Sequence, residues 1–386
     1  MLANIEHPDD QATTRRDDGA ILLSLELSRS LWLVTALLPG RQKLSKHSVP
    51  ARDSKALLAL IERLRSKAAR QRQAGAIEVI SIQEAGLDGF WLHRLLEADG
   101  IRSLVVDPAS VAVPRRRRRA KTDAIDGETL LRTLAAWLRG EARVCSMVRP
   151  PSPEQEDARR LVREREALVA ERTRQSNRIR GLLSSQGIVD YNPLRRRGRA
   201  SLDSLVSGDG RALPAHLQAE LARSLQRLDL LAQQIGEVEA ERDAALAALQ
   251  PNAPGEMLLR LRSLGPQFAA VLWLEGFFRS FANRRQIAAY AGLAPSPWQS
   301  GQVDRDQGIS KAGNPRLRST AIELAWLWLR YQPGSALSQW FHRRVGSQRG
   351  RSRRIAIVAL ARKLLVALWR YVTAGVIPEG AVLKQA

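Results

Sequence analysis

Short apolar runs separated by polar breaks dominate the first third of the chain. The runs at 21–27 and 31–38 flank a polar break at 28–30, a spacing that predicts a β-hairpin. Further strands are predicted at 43–49, as a weakly alternating edge strand, and at the buried runs 77–82 and 104–106. Apolar residues recurring every three to four positions predict helices at 54–73, with Ser54 as N-cap, at 89–98 and at 123–138.

The predicted order is three strands, a helix, a strand, a helix, a strand and a helix. This order fits a mixed sheet flanked by helices, and specifically the ribonuclease-H-like (RuvC-like) arrangement. Such a fold gathers acidic residues from its first strand, from the end of its fourth strand and from the helix after its fifth. The chain has an acid at each place, namely Glu26, Glu84, and Asp123 with Asp126.

Two long charged helices with sparse apolar positions are predicted at 156–185 and 215–249. The spacing of their apolar residues predicts an antiparallel coiled-coil hairpin, whose connecting loop at 190–213 is rich in glycine and arginine. Its expected role is spacing or oligomerisation. From Glu256 onward the chain is tryptophan-rich and predicted to be helical, with an amphipathic helix at 355–371 behind a basic stretch at 342–354.

These patterns predict an α/β part followed by an all-α part. Residues 1–19 are expected to form a flexible N-terminal extension and residues 20–149 the mixed-sheet domain. Residues 150–253 are expected to form the coiled-coil hairpin with its basic loop, after a proline-rich linker at 150–153. Residues 254–386 are expected to form a helical carboxy-terminal domain.

The composition indicates a nucleic-acid partner. The 386 residues include 61 Lys plus Arg and 39 Asp plus Glu, which gives a formal net charge of +22. Such a charge favours nucleic acid or an anionic membrane, and the chain has no apolar run of about 18 residues that would cross a membrane. A single cysteine, Cys145, excludes an intramolecular disulfide, and five scattered histidines offer no zinc-ligand spacing. We therefore expect a cytoplasmic, nucleoid-associated protein.

A dense basic run directly precedes two of the acids. It consists of Arg115, Arg116, Arg117, Arg118, Arg119 and Lys121. Asp123 and Asp126 are three positions apart, so both carboxylates project from one face of a helix near its first turn. Acids at a helix start also serve as caps, which is the simpler explanation of this pair. Cations that attract phosphate beside clustered carboxylates instead indicate a metal-dependent site for nucleic acid.

The other two acids have simpler explanations when each is taken alone. Glu26 could be an exposed strand residue with an ion-pair partner, and Glu84 could be a loop acid. Together with Asp123 and Asp126, however, they occupy the places that one fold would bring together. Four carboxylates can hold two divalent ions about 4 Å apart for phosphoryl transfer.

A second set of polar residues lies far downstream. Ser300 is expected between helices, in a turn beside Gly301. Because glycine has no side chain, a phosphate could approach the Ser300 hydroxyl closely there. Ser310, Lys311 and Asn314 follow as candidate phosphate contacts. No histidine lies nearby to act as a base, which argues against a hydrolase triad. An exposed loop serine is usually a turn residue, and this stretch alone does not decide between the two roles.

Several motifs together resemble one known family. The stretches AYAGLAPSPWQSG and GISKAGNPRLR resemble the carboxy-terminal signature of the DEDD insertion-sequence transposases, also called Piv-type or bridge-RNA-guided recombinases. QEAG around Glu84 and AKTDAID around Asp123 and Asp126 are similar to that family's ribonuclease-H-like motifs. The resemblance extends over about residues 21–378 in the family's order.

The resemblance implies a mechanism and a set of partners. Glu26, Glu84, Asp123 and Asp126 would bind Mg²⁺, two ions in all, and Ser300 would attack the scissile phosphate to form a covalent 5′-phosphoserine. The partners would be donor and target DNA, an element-encoded guide RNA, and further copies of the chain in a dimer to tetramer. Nucleic-acid contacts are expected from the basic run and from Arg195, Arg196, Arg197, Lys311, Asn314 and Arg316.

Two departures from the family pattern stand out. The first acid is normally aspartate but is Glu26 here, and the extra methylene moves its oxygens. The family's Pro-Gly-Ile-Gly hairpin is reduced to a segment at 261–266. Two other functions compete with recombination: a metal-dependent junction nuclease in which water attacks, and a nucleic-acid-binding relative without catalysis.

Overall fold

The computed structural model describes residues 19–73, 77–86, 89–111, 123–141, 144–195, 204–300 and 303–384. The chain divides into two compact units, Met1–Pro151 and Ser152–Ala386. The four predicted segments stay a prediction, and nearly all of the expected N-terminal extension (residues 1–18) lies outside the described residues.

The described part of the first unit alternates strands and helices largely as predicted. Its elements are β1 (Ile21–Glu26), β2 (Leu31–Leu37), β3 (Ser45–Pro50), α1 (Ser54–Arg72), β4 (Val79–Glu84), α2 (Trp91–Ala98), β5 (Arg102–Val106), α3 (Asp123–Leu138) and β6 (Met147–Val148). The predicted N-cap of α1 is wrong by one position. Asp53 caps this helix, because its Oδ1 accepts a hydrogen bond from the Ala56 amide at 2.9 Å.

The strands form one mixed sheet in the order β3-β2-β1-β4-β5-β6. The central strands β1, β4 and β5 run parallel, whereas β2 and β3 continue the sheet as an antiparallel meander. The short strand β6 was not predicted, and it pairs antiparallel with β5. This topology confirms the mixed sheet flanked by helices and is consistent with a ribonuclease-H-like fold.

The alternation of side chains along each strand decides which helix it faces. Leu23 and Leu25 of β1 belong to the apolar cluster that includes residues of α1 and α2. Leu22 of β1 and Ile82 of β4 belong to the opposite cluster, which contains Leu130 of α3. One face of the sheet is therefore covered by α1 and α2, and the other by α3.

The second unit begins with two long helices. They are α4 (Pro153–Ser184) and α5 (Ala215–Ala247). They run antiparallel, since Arg165 pairs with Glu239 at 2.6 Å and Arg178 with Glu220 at 2.7 Å. The predicted start of α4 is late by three residues, because Ser152 and Gln155 form a capping box that starts the helix within the proline-rich linker.

The remainder of the second unit is largely helical. Its elements are α6 (Pro254–Leu259), α7 (Pro266–Val271), a π-helix (Leu272–Phe277), α8 (Arg284–Tyr290), β7 (Pro295–Ser300), β8 (Val303–Ile309), α9 (Pro315–Tyr331), α10 (Ala336–Val345) and α11 (Arg351–Ala374). They share an apolar core around Trp328, whose Nε1 donates to Ser335 Oγ at 2.8 Å. The antiparallel hairpin of β7 and β8 is a correction to the purely helical prediction.

None of the helices in the described ranges is long and apolar enough to cross a membrane.

Candidate active site

Two of the predicted acids end neighbouring parallel strands. The register pairs Leu25 with Gln83, so Glu26 and Glu84 follow side by side at the carboxyl ends of β1 and β4. Glu26 is in phase with Leu22, and Glu84 is in phase with Ile82. Both carboxylates therefore belong to the face of the sheet that α3 covers. Glu84 is exposed, whereas Glu26 is half-buried with its Oε1 atom fully buried.

Helix α3 approaches the sheet very closely at Gly127. The Ser24 hydroxyl donates a hydrogen bond to the Gly127 carbonyl oxygen at 2.7 Å. A Cβ atom at Gly127 would lie 2.7 Å from Thr35 Oγ1 and 3.6 Å from Glu26 Cγ. Glu26 is thus adjacent to the residue that follows Asp126. The structure therefore brings the Glu26 and Glu84 strand ends and the first turns of α3 to one edge of the domain.

The donor chemistry of this edge fits a divalent cation. Carboxylate oxygens are the ligands that Mg²⁺ and Mn²⁺ prefer, and a buried ionisable oxygen such as Glu26 Oε1 is favourable beside a positive charge. Among the side chains that the structure describes, no three His, Cys, Asp or Glu residues are placed to hold a metal ion. The carboxylate of Asp123 is outside that set, so the four-carboxylate site stays a prediction.

Most of the predicted basic contacts lie beyond the described residues. These are Arg115 to Arg119, Lys121, Arg196 and Arg197. Arg195 is described and exposed. In the second unit Lys311 is exposed, while Arg316 forms an ion pair with Glu166 that already compensates its charge.

Ser300 ends a strand and does not lie in a loop between helices. It is the last residue of β7 and pairs with Val303 of β8, and residues 301–302 lie outside the described residues. Backbone hydrogen bonds fix the base of this hairpin: Ser310 donates to Ala294 at 2.8 Å, and Lys311 donates to Gly292 at 3.1 Å. The side chain of Ser300 is not among those described.

A buried carboxylate fixes the exit from the hairpin. Asn314 caps α9 through its Oδ1, which accepts from the Arg316 and Leu317 amides, and its Nδ2 donates to Glu275 Oε2 at 3.0 Å. Glu275 is only 2% exposed. Arg163 of α4 donates to both of its oxygens, at 2.7 Å and 3.2 Å. The Asn314 side chain is therefore occupied within the fold, and its predicted phosphate contact stays a prediction.

Electrostatics keeps this buried pair charged. Burial acts to raise the pKa of Glu275. The hydrogen bonds from Arg163 and Asn314, with the positive charges of Arg163 and Arg159, together outweigh burial and hold that pKa below its usual value. The hydrogen bond to Glu275 in turn raises the pKa of Arg163. Sequence reasoning missed Glu275. Its signal was a single acid within the apolar run LWLEGFF, where a charge requires a partner.

Carboxylates at the ends of parallel strands and a strongly basic chain are typical of metal-dependent enzymes that process nucleic acid. Sequence profiles agree: the transposase IS116/IS110/IS902 family matches residues 255–339, and the DEDD transposase domain of IS110-type elements matches residues 32–187. The transposase named y4rJ of Sinorhizobium fredii is 60% identical over 396 residues, covering 100% of both chains. This protein belongs to the IS116/IS110/IS902 family of transposases.

More distant relatives give the same result. A family 20 transposase of Pseudomonas aeruginosa is 30% identical over 75% of this chain and 82% of its own. The transposase for insertion sequence element IS1328 of Yersinia enterocolitica is 29% identical over 60% of this chain and 67% of its own. The protein is therefore an enzyme that cleaves and rejoins DNA, and the family's DEDD domain uses divalent metal.

Replacing Gly127 with alanine should disturb the approach of α3 to the acids. The new methyl group would crowd Thr35 Oγ1, a short and fully buried side chain that has little room to move. We expect Gly127→Ala to lower the free energy of unfolding by about 1–3 kcal/mol, the usual cost of overpacking. Chemical denaturation measures this change.

Two controls separate crowding from a general effect of the substitution. Adding Thr35→Ala to Gly127→Ala should restore most of the lost stability, because it removes the crowded oxygen. Gly236→Ala in α5, where a Cβ meets nothing within 4 Å, should stabilise by up to about 1 kcal/mol. A Gly127→Ala protein as stable as the wild type would contradict the close approach.

Glu275→Gln should destabilise the protein in a pH-dependent way. Loss of the charged hydrogen bonds to Arg163 and Asn314 should cost about 2 kcal/mol at neutral pH. Because the folded-state pKa of Glu275 is depressed, its contribution is fully present above the unfolded pKa of about 4.3 and is lost as the pH falls through the folded pKa. Urea titrations of both proteins at a series of pH values measure the difference.

The difference in unfolding free energy should thus be constant near neutral pH and shrink below about pH 4.3. Glu323→Gln on the exposed face of α9 is the matched control and should change stability by less than about 0.5 kcal/mol throughout. A difference that grows on acidification would show that the carboxyl is neutral in the folded protein.

Proposed function

We propose that this transposase cleaves DNA through Ser300 and is guided to its sites by RNA. The Ser300 oxygen attacks the scissile phosphorus, the Oγ–P bond forms, and the bond from phosphorus to the 3′ oxygen breaks. The 3′ oxygen leaves with a proton, and the 5′ end stays on the protein as a phosphoserine. A 3′ hydroxyl then attacks the phosphoserine, which rejoins DNA and regenerates the serine without a net change in bond energy.

The position of Ser300 is the observation that carries this proposal. It ends β7 and pairs with the first residue of β8, within the segment that the IS116/IS110/IS902 profile matches. The base of that hairpin is fixed by backbone hydrogen bonds and by the Asn314 cap. We infer that anchoring the base of the hairpin restricts where a serine at the end of β7 can lie, which favours an in-line attack on a bulky polymer.

Glu26, Glu84, Asp123 and Asp126 are proposed to hold Mg²⁺, two ions in all. The metal would lower the pKa of the attacking hydroxyl and neutralise charge on the phosphate, which accounts for a serine that needs no histidine base. The adjacent strand ends that carry Glu26 and Glu84, and the close approach of α3 to Glu26, support this assignment. Arg115 to Arg119 and Lys121 would attract the DNA or RNA backbone towards the acids.

The proposed site needs both units of the chain. The acids belong to the first unit and Ser300 to the second. We propose that different copies in a homo-oligomer, a dimer to tetramer, contribute the two parts. The antiparallel pair of α4 and α5 would act as the coiled coil that spaces or joins these copies.

The guide RNA would be encoded by the element and would pair with donor and target DNA. The protein would then read backbone and shape, as suits an arginine-rich chain without a motif for reading bases. Arg195, Arg196, Arg197, Lys311 and Arg316 remain candidate contacts. The place of action would be the nucleoid.

Replacing Ser300 with alanine should abolish the covalent protein–DNA adduct. The wild type, incubated with 3′-end-labelled element DNA, its RNA and Mg²⁺, should give a labelled band at the mass of the protein with its attached DNA on a denaturing gel. Ser300→Ala should give none, whereas Ser184→Ala, at an exposed serine of α4, should give as much as the wild type. Cleavage by Ser300→Ala with free DNA ends would instead identify a nuclease in which water attacks.

Changing the length and charge of residue 26 tests the metal site. Glu26→Gln should reduce adduct formation by about 100-fold or more, because it removes a negative ligand, whereas Glu26→Asp should remain active since it restores the family's usual residue. Chelation by EDTA should abolish the adduct, and added Mg²⁺ should restore it. Full activity of Glu26→Gln would remove this residue from the site.

A further inference from the structure

Six exposed arginines surround the turn between α10 and α11. They form what we call the arginine surface: Arg343 and Arg344 at the end of α10, Arg349 in the turn, and Arg351, Arg353 and Arg354 in the first turn of α11. The sequence contains no Asp or Glu between Glu323 and Glu379. Within the described residues, none of these six arginines forms an ion pair. Their positive charge is therefore not compensated by the chain around them.

Helix stability does not explain the arginines that begin α11. The amino-terminal end of a helix carries a partial positive charge, so cations there are unfavourable. The first turn of α11 has no acidic residue, and its N-cap Gly350 provides no side-chain hydrogen bond to the free amides. Arg343 and Arg344, at the carboxy-terminal end of α10, do suit the helix dipole. The positive charge in the first turn of α11 is therefore unfavourable for the helix, and a bound anion would offset it.

The surface is also held in shape. Arg353 lies over the ring of Trp326, with 5.3 Å from Cζ to the ring centroid, and this tryptophan is 38% exposed. A cation–π contact fixes a guanidinium without neutralising its charge. Just behind the arginines, Val345 and Ile357 are buried in the helical core. Both ends of the turn are thus anchored, which limits the entropy that a ligand would lose on binding.

We propose that the arginine surface binds the phosphate backbone of a nucleic-acid duplex, in addition to the contacts near the acids and Ser300. Arginine offers a planar fork that matches phosphate oxygens, and a row of such forks suits a polyanion better than a small anion. Trp326 adds a partly exposed aromatic ring beside Arg353. This binding requires only that the family acts on DNA, and it does not depend on the proposed Ser300 chemistry.

The test measures binding without cleavage. In a Ser300→Ala background and without divalent metal, fluorescence anisotropy gives the affinity for DNA and RNA duplexes of the same arbitrary sequence. Replacing Arg351, Arg353 and Arg354 with glutamine should weaken binding by about tenfold or more at moderate salt. The slope of log affinity against log salt should become shallower by about 0.9 for each lost contact to DNA.

The control removes the same charge elsewhere. Arg160→Gln, Arg174→Gln and Arg178→Gln together neutralise three exposed arginines of α4 that are paired with Asp157, Glu171 and Glu220. This triple variant should bind nearly as tightly as the parent. A loss confined to DNA, or confined to RNA, supports the proposal and identifies the duplex. Equal affinities of the two triple variants for both duplexes would overturn it.

Thermal unfolding excludes a trivial loss of structure. Because the three arginines oppose the helix dipole, the α11 triple variant should melt no lower than the parent. If it melts lower, Arg343→Gln with Arg344→Gln, which leaves the Trp326 contact intact, provides the second measurement. An unchanged affinity for both duplexes in that pair of substitutions would likewise refute the arginine surface.

Discussion

The charged Glu275 carboxylate in the core of the second unit is the interaction on which the serine hairpin depends. It joins three segments that are far apart in sequence, because Arg163 on α4 and Asn314 at the start of α9 both donate to it. Burying this acid is unfavourable unless each oxygen has a partner. The hydrogen bonds thus make the positions of α4, the π-helix and α9 mutually dependent. Asn314 ends the segment that follows β8. The position of the hairpin that contains Ser300 is therefore restrained by the same hydrogen bonds.

The first unit positions its acids by a different physical route. The period of two along β1 and β4 places Glu26 and Glu84 on one face of the sheet. What remains is to bring α3 close enough, and this needs a residue without a side chain at Gly127. The Ser24 hydrogen bond then fixes the helix to the strand. The backbone positions of Glu26 and Glu84, which are proposed to hold metal, are therefore fixed by the sheet that carries them.

The elements that depend on the local periodicity of apolar residues could be predicted from the sequence. The strands and the helices around the mixed sheet follow from alternation and from the 3.6-residue repeat. Alternation also places Glu26 and Glu84 on the face of the sheet that α3 covers. The hairpin of β7 and β8 was not predicted. Its prolines and glycines disrupt the alternation of apolar and polar residues, and its pairing is stabilised by backbone hydrogen bonds. The buried ion pair of Glu275 was not predicted for another reason, because its partner Arg163 is 112 positions away in the sequence.

The net charge of +22 indicated a nucleic-acid partner but not where the partner binds. Two groups of described arginines differ in their partners. Many of those in α4 and at the start of α9 form ion pairs with acids, as Arg163, Arg165 and Arg316 do. Their charge contributes to the stability of the fold. Arg351, Arg353 and Arg354 in the first turn of α11 form no ion pair within the described residues and oppose the dipole of their own helix. Positive charge that is not neutralised by an ion pair, one guanidinium of which is held over Trp326, is suited to binding the polyanion on which a transposase acts.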